Sequence, residues 1–144
     1  MCPYAFSAPK DGGLQCKRIQ ALQTALVYTP ITPQSILKTF EELGVSAEIR
    51  RAISEMGYEH PMPVQEEVIP YLLGVGNDVI ALAQTGTGKT AAFGLPVLQK
   101  VNPKDRRTQA VILSPTRELC LQIAGDLKEY SRYIDDLHVL AVYG

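Results

Sequence analysis

The sequence predicts an α/β fold built on a parallel sheet, and three observations carry that reading. Short apolar runs recur at 78–82 (DVIAL), 109–113 (QAVIL) and 137–142 (LHVLAV), each of a length that suits a buried strand. Residues 89–100 and 116–130 lie between them and are long enough for crossover helices. A glycine-rich loop at 83–90 (AQTGTGKT) joins the first run to the first of those segments. Strand, helix, strand, helix, strand in this order implies parallel strands with right-handed crossovers.

The elements follow from local signals. Residues 1–37 carry only Lys10, Asp11, Lys17 and Arg18 as charges, with Pro3, Pro9, Pro30 and Pro33 and no clear apolar period. They are expected to form a poorly ordered or weakly helical extension without chemistry, with 19–27 as its one short helical stretch. From residue 38 the patterns become regular. Ser46 is placed to cap a helix whose apolar positions Ile49, Ile53 and Met56 recur at helical spacing, and Gly57 is placed to end it. A second helix is expected over 64–73, disturbed at Pro70 and stopped by Gly74. Gly76-Asn77 and the glycine-rich loop bound the first strand. No helix follows the last strand before Gly144, so the sheet is expected to end on an open apolar edge. Leu119, Ile123 or Leu127 would then be left partly uncovered.

Composition bounds the function classes. A chain of 144 residues, 46% hydrophobic and 20% charged, is enough for one globular domain with a real core. No stretch supplies the ~20 apolar residues of a membrane span. Residues 19–37 lack charge, but Gln20, Gln23, Thr24 and two prolines make them a poor span and a poor signal peptide. A net charge of −1 means that a nucleic-acid partner must be met by local contacts rather than by a basic surface. Cys2, Cys16 and Cys120 are scattered and odd in number, and His60 and His138 stand alone, so neither a disulfide framework nor a structural metal site is expected. A reducing cytoplasm fits this cysteine usage.

The strongest chemical signal is the loop at 83–90. Gly86 and Gly88 let the backbone curl so that several N–H groups face phosphate oxygens, and the following helix N-terminus adds partial positive charge. Lys89 can reach the β- and γ-phosphates, and the Thr90 hydroxyl can ligate Mg²⁺. The strict pattern has glycine where this chain has Ala83. The flanking strand and helix nevertheless make a nucleotide site the reading, against a plain glycine turn. Upstream, two prolines stiffen the run GYEHPMPVQ at 57–65 and hold Gln65 at a helix start. A glutamine amide matches the N6 and N7 edge of adenine better than it matches guanine. Gln65 is otherwise an ordinary surface glutamine.

Taken together, GYEHPMPVQ, AQTGTGKT and Pro115-Thr116-Arg117-Glu118-Leu119 resemble the amino-terminal half of DEAD-box ATP-dependent RNA helicases, over about residues 38–144. In that family the runs are the Q motif, motif I and motif Ia. The resemblance implies that residues 38–144 are an incomplete first RecA-like, ATP-binding helicase domain. It implies that Gln65 reads adenine and that Phe40, at the family's upstream aromatic position, stacks on it. Gly86, Thr87, Gly88, Lys89 and Thr90 would hold ATP and Mg²⁺, with Lys89 and Thr90 as catalytic groups. Pro115, Thr116 and Arg117 would contact the RNA backbone, with Glu118 orienting Arg117, and Gly144 would take the first place of an RNA-contacting glycine pair. The implied partner is RNA, as a single strand or short duplex. Taken alone, Phe40 is equally a core aromatic and Arg117 a solvated helix charge.

Two departures from the family pattern stand out. Cys120 sits where alanine is more usual and reads as a small buried thiol. The sequence contains no Asp-Glu-Ala-Asp or Ser-Ala-Thr motif, and hydrolysis needs acidic groups to position Mg²⁺ and water. The 144 residues are therefore expected to be the ATP-binding front part of an RNA helicase, inactive alone. The alternative is a non-catalytic nucleotide-binding fragment or a gene-model remnant. Gln65→Ala is expected to weaken ATP use and leave the fold intact.

Overall fold

The computed structural model describes residues 5–7, 38–75 and 78–144. In chain order the elements are β1 (Ala5–Ser7), α1 (Ala47–Glu55), α2 (Pro63–Leu73), α3 (Lys89–Lys100), β2 (Ala110–Ile112) and α4 (Arg117–Tyr130). The helices lie where the sequence puts them. The extension expected over 1–37, and its helical stretch at 19–27, lie outside the described residues apart from β1.

A turn at 39–44 opens the described body. The Thr39 N–H donates to Glu42 Oε2 at 2.7 Å and the Glu42 N–H to Thr39 Oγ1 at 3.3 Å, which seats Phe40, Leu43 and Val45 in the core. Ser46 precedes α1, but its hydroxyl accepts no bond from the helix. Its N–H instead donates to Gln99 Oε1 at 2.9 Å, while Gln99 Nε2 donates to the Gly44 carbonyl at 2.8 Å. One side chain from the end of α3 thereby fixes the entry to α1. Gly57 closes that helix with φ +87°. The Gly57 and Tyr58 N–H groups donate back to the Ser54 and Ile53 carbonyls, the reciprocal pairing of a glycine C-terminal cap.

Helix α3 is the centre of the body. Ala91, Ala92, Gly94, Leu95, Pro96 and Leu98 are all buried, as an axial helix requires, with α2 and α4 packed against it and α1 against α4. Helix α2 continues through Pro70, whose side is exposed, and Lys100 Nζ donates to the Gly74 carbonyl at 2.8 Å just beyond its end. A Cβ on Gly94 would stand 2.8 Å from Leu127 Cδ2, so this glycine sets how closely α3 and α4 approach. No helix among the described residues is long and apolar enough to cross a membrane.

The expected parallel sheet is not formed among the described residues. Only Ala110–Ile112, inside the run at 109–113, is a strand, and its ladder runs antiparallel to β1, pairing Ala5 with Ile112 and Ser7 with Ala110. A run becomes a strand only when a neighbouring backbone completes its hydrogen bonds, and 78–82 and 137–142 have no such ladder. Side chains still alternate along 137–142, where Leu137 and Val139 pack against the helical core while Leu140 and Val142 are exposed. The helices thus cover one side of that segment. In 78–82, Asp78, Val79, Ile80 and Leu82 are exposed and only Ala81 is half-buried. Of the three α4 residues expected to be partly uncovered, Ile123 and Leu127 are buried and Leu119 is half-buried, while Leu121 of the same helix is exposed.

Candidate functional site

The loop between 83 and 90 takes the conformation that its glycines permit. Gly86 and Gly88 have φ of +80° and +76°, the left-handed region that side chains with a Cβ avoid. The Thr87 hydroxyl donates to the Gln84 carbonyl at 2.8 Å and closes the turn. Lys89 Nζ donates to the Ala83 carbonyl at 2.7 Å and also to that of Gln84, so its ammonium is folded back over the start of the loop. Gly88 is the N-cap of α3 and supplies no side-chain cap, leaving the first turn open to an anion. Thr90, in that first turn, is half-buried. The arrangement offers a cation, flexible amides and a helix N-terminus at one place, the donor set that a polyphosphate needs.

Gln65 is neither a surface glutamine nor a free base-reading group. It is fully buried, its Oε1 accepting the Met62 N–H at 2.9 Å and its Nε2 donating to the Gly88 carbonyl at 3.1 Å. Proline at the first position of α2 and this amide together fix the helix start, because Gln65 reaches back to the N-cap backbone. One N–H and one lone pair of the amide remain uncommitted. A Cβ on Gly88 would come within 2.2 Å of Gln65 Nε2, which makes glycine doubly required there. The Q-motif run and the glycine-rich loop are thus joined side chain to backbone.

Phe40, expected to stack on a base, is a core residue with 5% exposure, packed with the apolar cluster between the helices. Burial of a large aromatic ring stabilises the body more than an exposed stacking face would, and the 39–44 turn directs it inward. Tyr58, in the same run as Gln65, meets Tyr130 of α4 edge to face with ring centroids 6.0 Å apart and hydroxyls 3.1 Å apart. Burial, and then the Tyr58 hydrogen bond, push the Tyr130 hydroxyl well above the usual phenol range.

Pro115, Thr116, Arg117 and Gly144, which the family resemblance implies as RNA contacts, lie together. They line one cleft of about 260 Å³ with Cys120 and Tyr143. Thr116 is the N-cap of α4, its Oγ1 accepting the Leu119 N–H at 3.2 Å, a bond that does not use its hydroxyl proton. Arg117 is exposed, and its guanidinium lies 4.4 Å from the centre of the Tyr143 ring. The group that holds Arg117 is that ring rather than the Glu118 carboxylate. Cys120 is half-buried at the cleft wall, 3.8 Å from the Val142 carbonyl, and not a core thiol. Sequence reasoning passed over Tyr143; an aromatic beside the candidate RNA-contacting Gly144 was the available signal.

Comparison with known proteins places the chain in a family. Residues 62–144 match the DEAD/DEAH box helicase family. The chain is 48% identical over 106 residues to the ATP-dependent RNA helicase DeaD of Klebsiella pneumoniae, covering 74% of this chain and 16% of that protein. It is 43% identical over 119 residues to DeaD of Mycobacterium tuberculosis, covering 83% of this chain and 21% of that one. Among solved structures, Saccharomyces cerevisiae Dbp5 bound to RNA and ADP BeF3 is similar with a TM-score of 0.62 and 39% identity, over 67% of this chain and 25% of that one. A DEAD box protein from Methanococcus jannaschii is similar with a TM-score of 0.57 and 36% identity, over 64% of this chain and 25% of that one. The chain therefore spans about a sixth to a quarter of the length of the relatives it matches.

Proposed function

This chain belongs to the DEAD/DEAH box helicase family, and from that premise we propose that it supplies the ATP-binding and part of the RNA-contacting surface of an ATP-dependent RNA helicase. The observation that carries the reading is the loop at 83–90: two left-handed glycines, a folded-over Lys89 and a helix start with no side-chain cap. Gly86, Thr87, Gly88, Lys89 and Thr90 hold the triphosphate, and Thr90 is the Mg²⁺ ligand. ATP, once bound, supplies a phosphoryl group whose transfer to water drives strand remodelling in such an enzyme. Lys89 exchanges two carbonyl acceptors for phosphate oxygens, a stronger charge-assisted pairing. Gln65 keeps its bond to Gly88 and offers its remaining N–H and lone pair to adenine. The 115–117 cleft meets an RNA phosphate through Thr116, Arg117 and the amides at the start of α4.

The finer fold assignment is part of the same proposal: residues 38–144 correspond to the front of a RecA-like domain, and 78–82 and 137–142 become parallel strands once neighbours complete their ladders. The working compartment is the cytoplasm, the reading that three scattered cysteines without a pairing pattern support. The 144 residues bind nucleotide but do not turn it over with RNA, since the acidic hydrolytic motif is not in this sequence. The test is an equilibrium titration of the full chain with ATP and Mg²⁺, beside Lys89→Ala. Saturable binding that the substitution abolishes is the expected result. Equal binding by both proteins would refute the reading.

A further inference from the structure

Arg117 stands at the wrong end of its helix for its charge. It is the first residue of α4, where the helix dipole repels a cation, and among the described residues no carboxylate forms an ion pair with it. What holds it is the face of Tyr143, 4.4 Å from the guanidinium carbon to the ring centre. Both side chains line the cleft that Pro115, Thr116 and Gly144 also form. We propose that Tyr143 is a positioning residue for RNA binding, its ring holding the Arg117 guanidinium where it meets a phosphate. The proposal rests on the RNA-contact reading of this cleft. Stacking occupies the flat face of the guanidinium and leaves its N–H edge free, and that edge is the part that pairs with phosphate oxygens. An arginine without the ring would sample many rotamers and lose that order on every encounter.

The experiment uses the full chain and a short fluorescein-labelled single-stranded RNA, read by anisotropy across a salt series. Tyr143→Phe keeps the ring and should bind as the wild type does. Tyr143→Leu should weaken binding by about two- to fivefold, the range of an exposed cation–π contact. In an Arg117→Ala background the same Tyr143→Leu change should cost nothing further. Tyr143 is 47% exposed, so its replacement leaves the core intact. In parallel, the Arg117 Nε–Hε resonance should carry a ring-current shift that Tyr143→Phe retains and Tyr143→Leu removes. A loss of affinity that persists at full size without Arg117 would overturn the proposal, because the ring would then touch RNA directly. An unshifted Arg117 resonance in the wild type would also overturn it. Equal RNA affinity in the wild type and Arg117→Ala would overturn the RNA reading, and the proposal with it; a retained ring-current shift would locate that failure in the RNA reading rather than in the pair.

Discussion

The Gln65 amide donates to the Gly88 carbonyl at 3.1 Å across 23 residues of chain, and through this bond the start of α2 and the end of the 83–90 loop are one unit. The same amide accepts the Met62 N–H, so the side chain is spent on structure at both ends. This changes what its removal should do. Gln65→Ala should weaken nucleotide binding and also destabilise the protein, by about 1–3 kcal/mol for the buried hydrogen bonds it deletes. Chemical denaturation of the full chain measures the stability change, and an unchanged midpoint would return Gln65 to a purely ligand-facing role. A stronger preference for ATP over GTP in the wild type than in Gln65→Ala would show that the amide also reads the base.

Much of this was legible in the sequence, and the reasons for success and failure are physical. The bounds of α1, α2 and α3 follow from Gly57, Pro63 with Gly74, and Gly88, because caps and prolines act locally and need no partner. Thr116 and Arg117 fall at a helix start for the same reason. The sheet was not legible, since an apolar run at 78–82 or 137–142 states what a strand would bury but not which backbone lies beside it. Phe40 shows a related limit of pattern reading. The family resemblance implies a base-stacking ring at this position, and the 39–44 turn buries it with Leu43 and Val45. Gln65 marked the right place, but only the fold reveals that its amide is already committed.

Helix spacing at the centre of the body depends on one missing methyl group. Gly94→Ala should push α3 from α4, because the new Cβ would lie 2.8 Å from Leu127 Cδ2. The cost is about 1–3 kcal/mol for overpacking, reduced to the extent that Leu127 changes rotamer. Thermal melting checks this, and because Leu127→Ala removes the clashing group while opening a cavity of its own, the double variant Gly94→Ala with Leu127→Ala should lose less than the sum of the two single losses. If the double variant melts lower than the sum of its parts, the contact is not what sets the spacing.

Acid should loosen the attachment of α1. Glu55 accepts from the Tyr133 hydroxyl at 2.7 Å and pairs with Arg132 at 3.5 Å, and the tyrosine bond first, with the arginines behind it, holds its carboxyl below the usual value of 4.5. A depressed carboxyl contributes stability that is present above its unfolded pKa and is lost as pH falls through the folded one. Glu55 therefore adds nothing to the pH dependence above about 4.5 and withdraws its contribution below it. Tyr133→Phe should raise the Glu55 midpoint toward 4.5 in a carboxyl-detected NMR titration. An unmoved midpoint would show that the hydroxyl is not the cause.

If the loop at 83–90 grips a triphosphate, as proposed, its backbone amides must respond to the nucleotide. Backbone amide NMR of the full chain during titration with ATP and Mg²⁺ is the test. The largest saturable shifts are expected at Gly86, Gly88, Lys89 and Thr90, smaller ones at Met62 and Gln65 through the shared hydrogen bonds, and none in Lys89→Ala. Saturable shifts centred elsewhere in the chain, with the loop amides unmoved, would contradict the proposal.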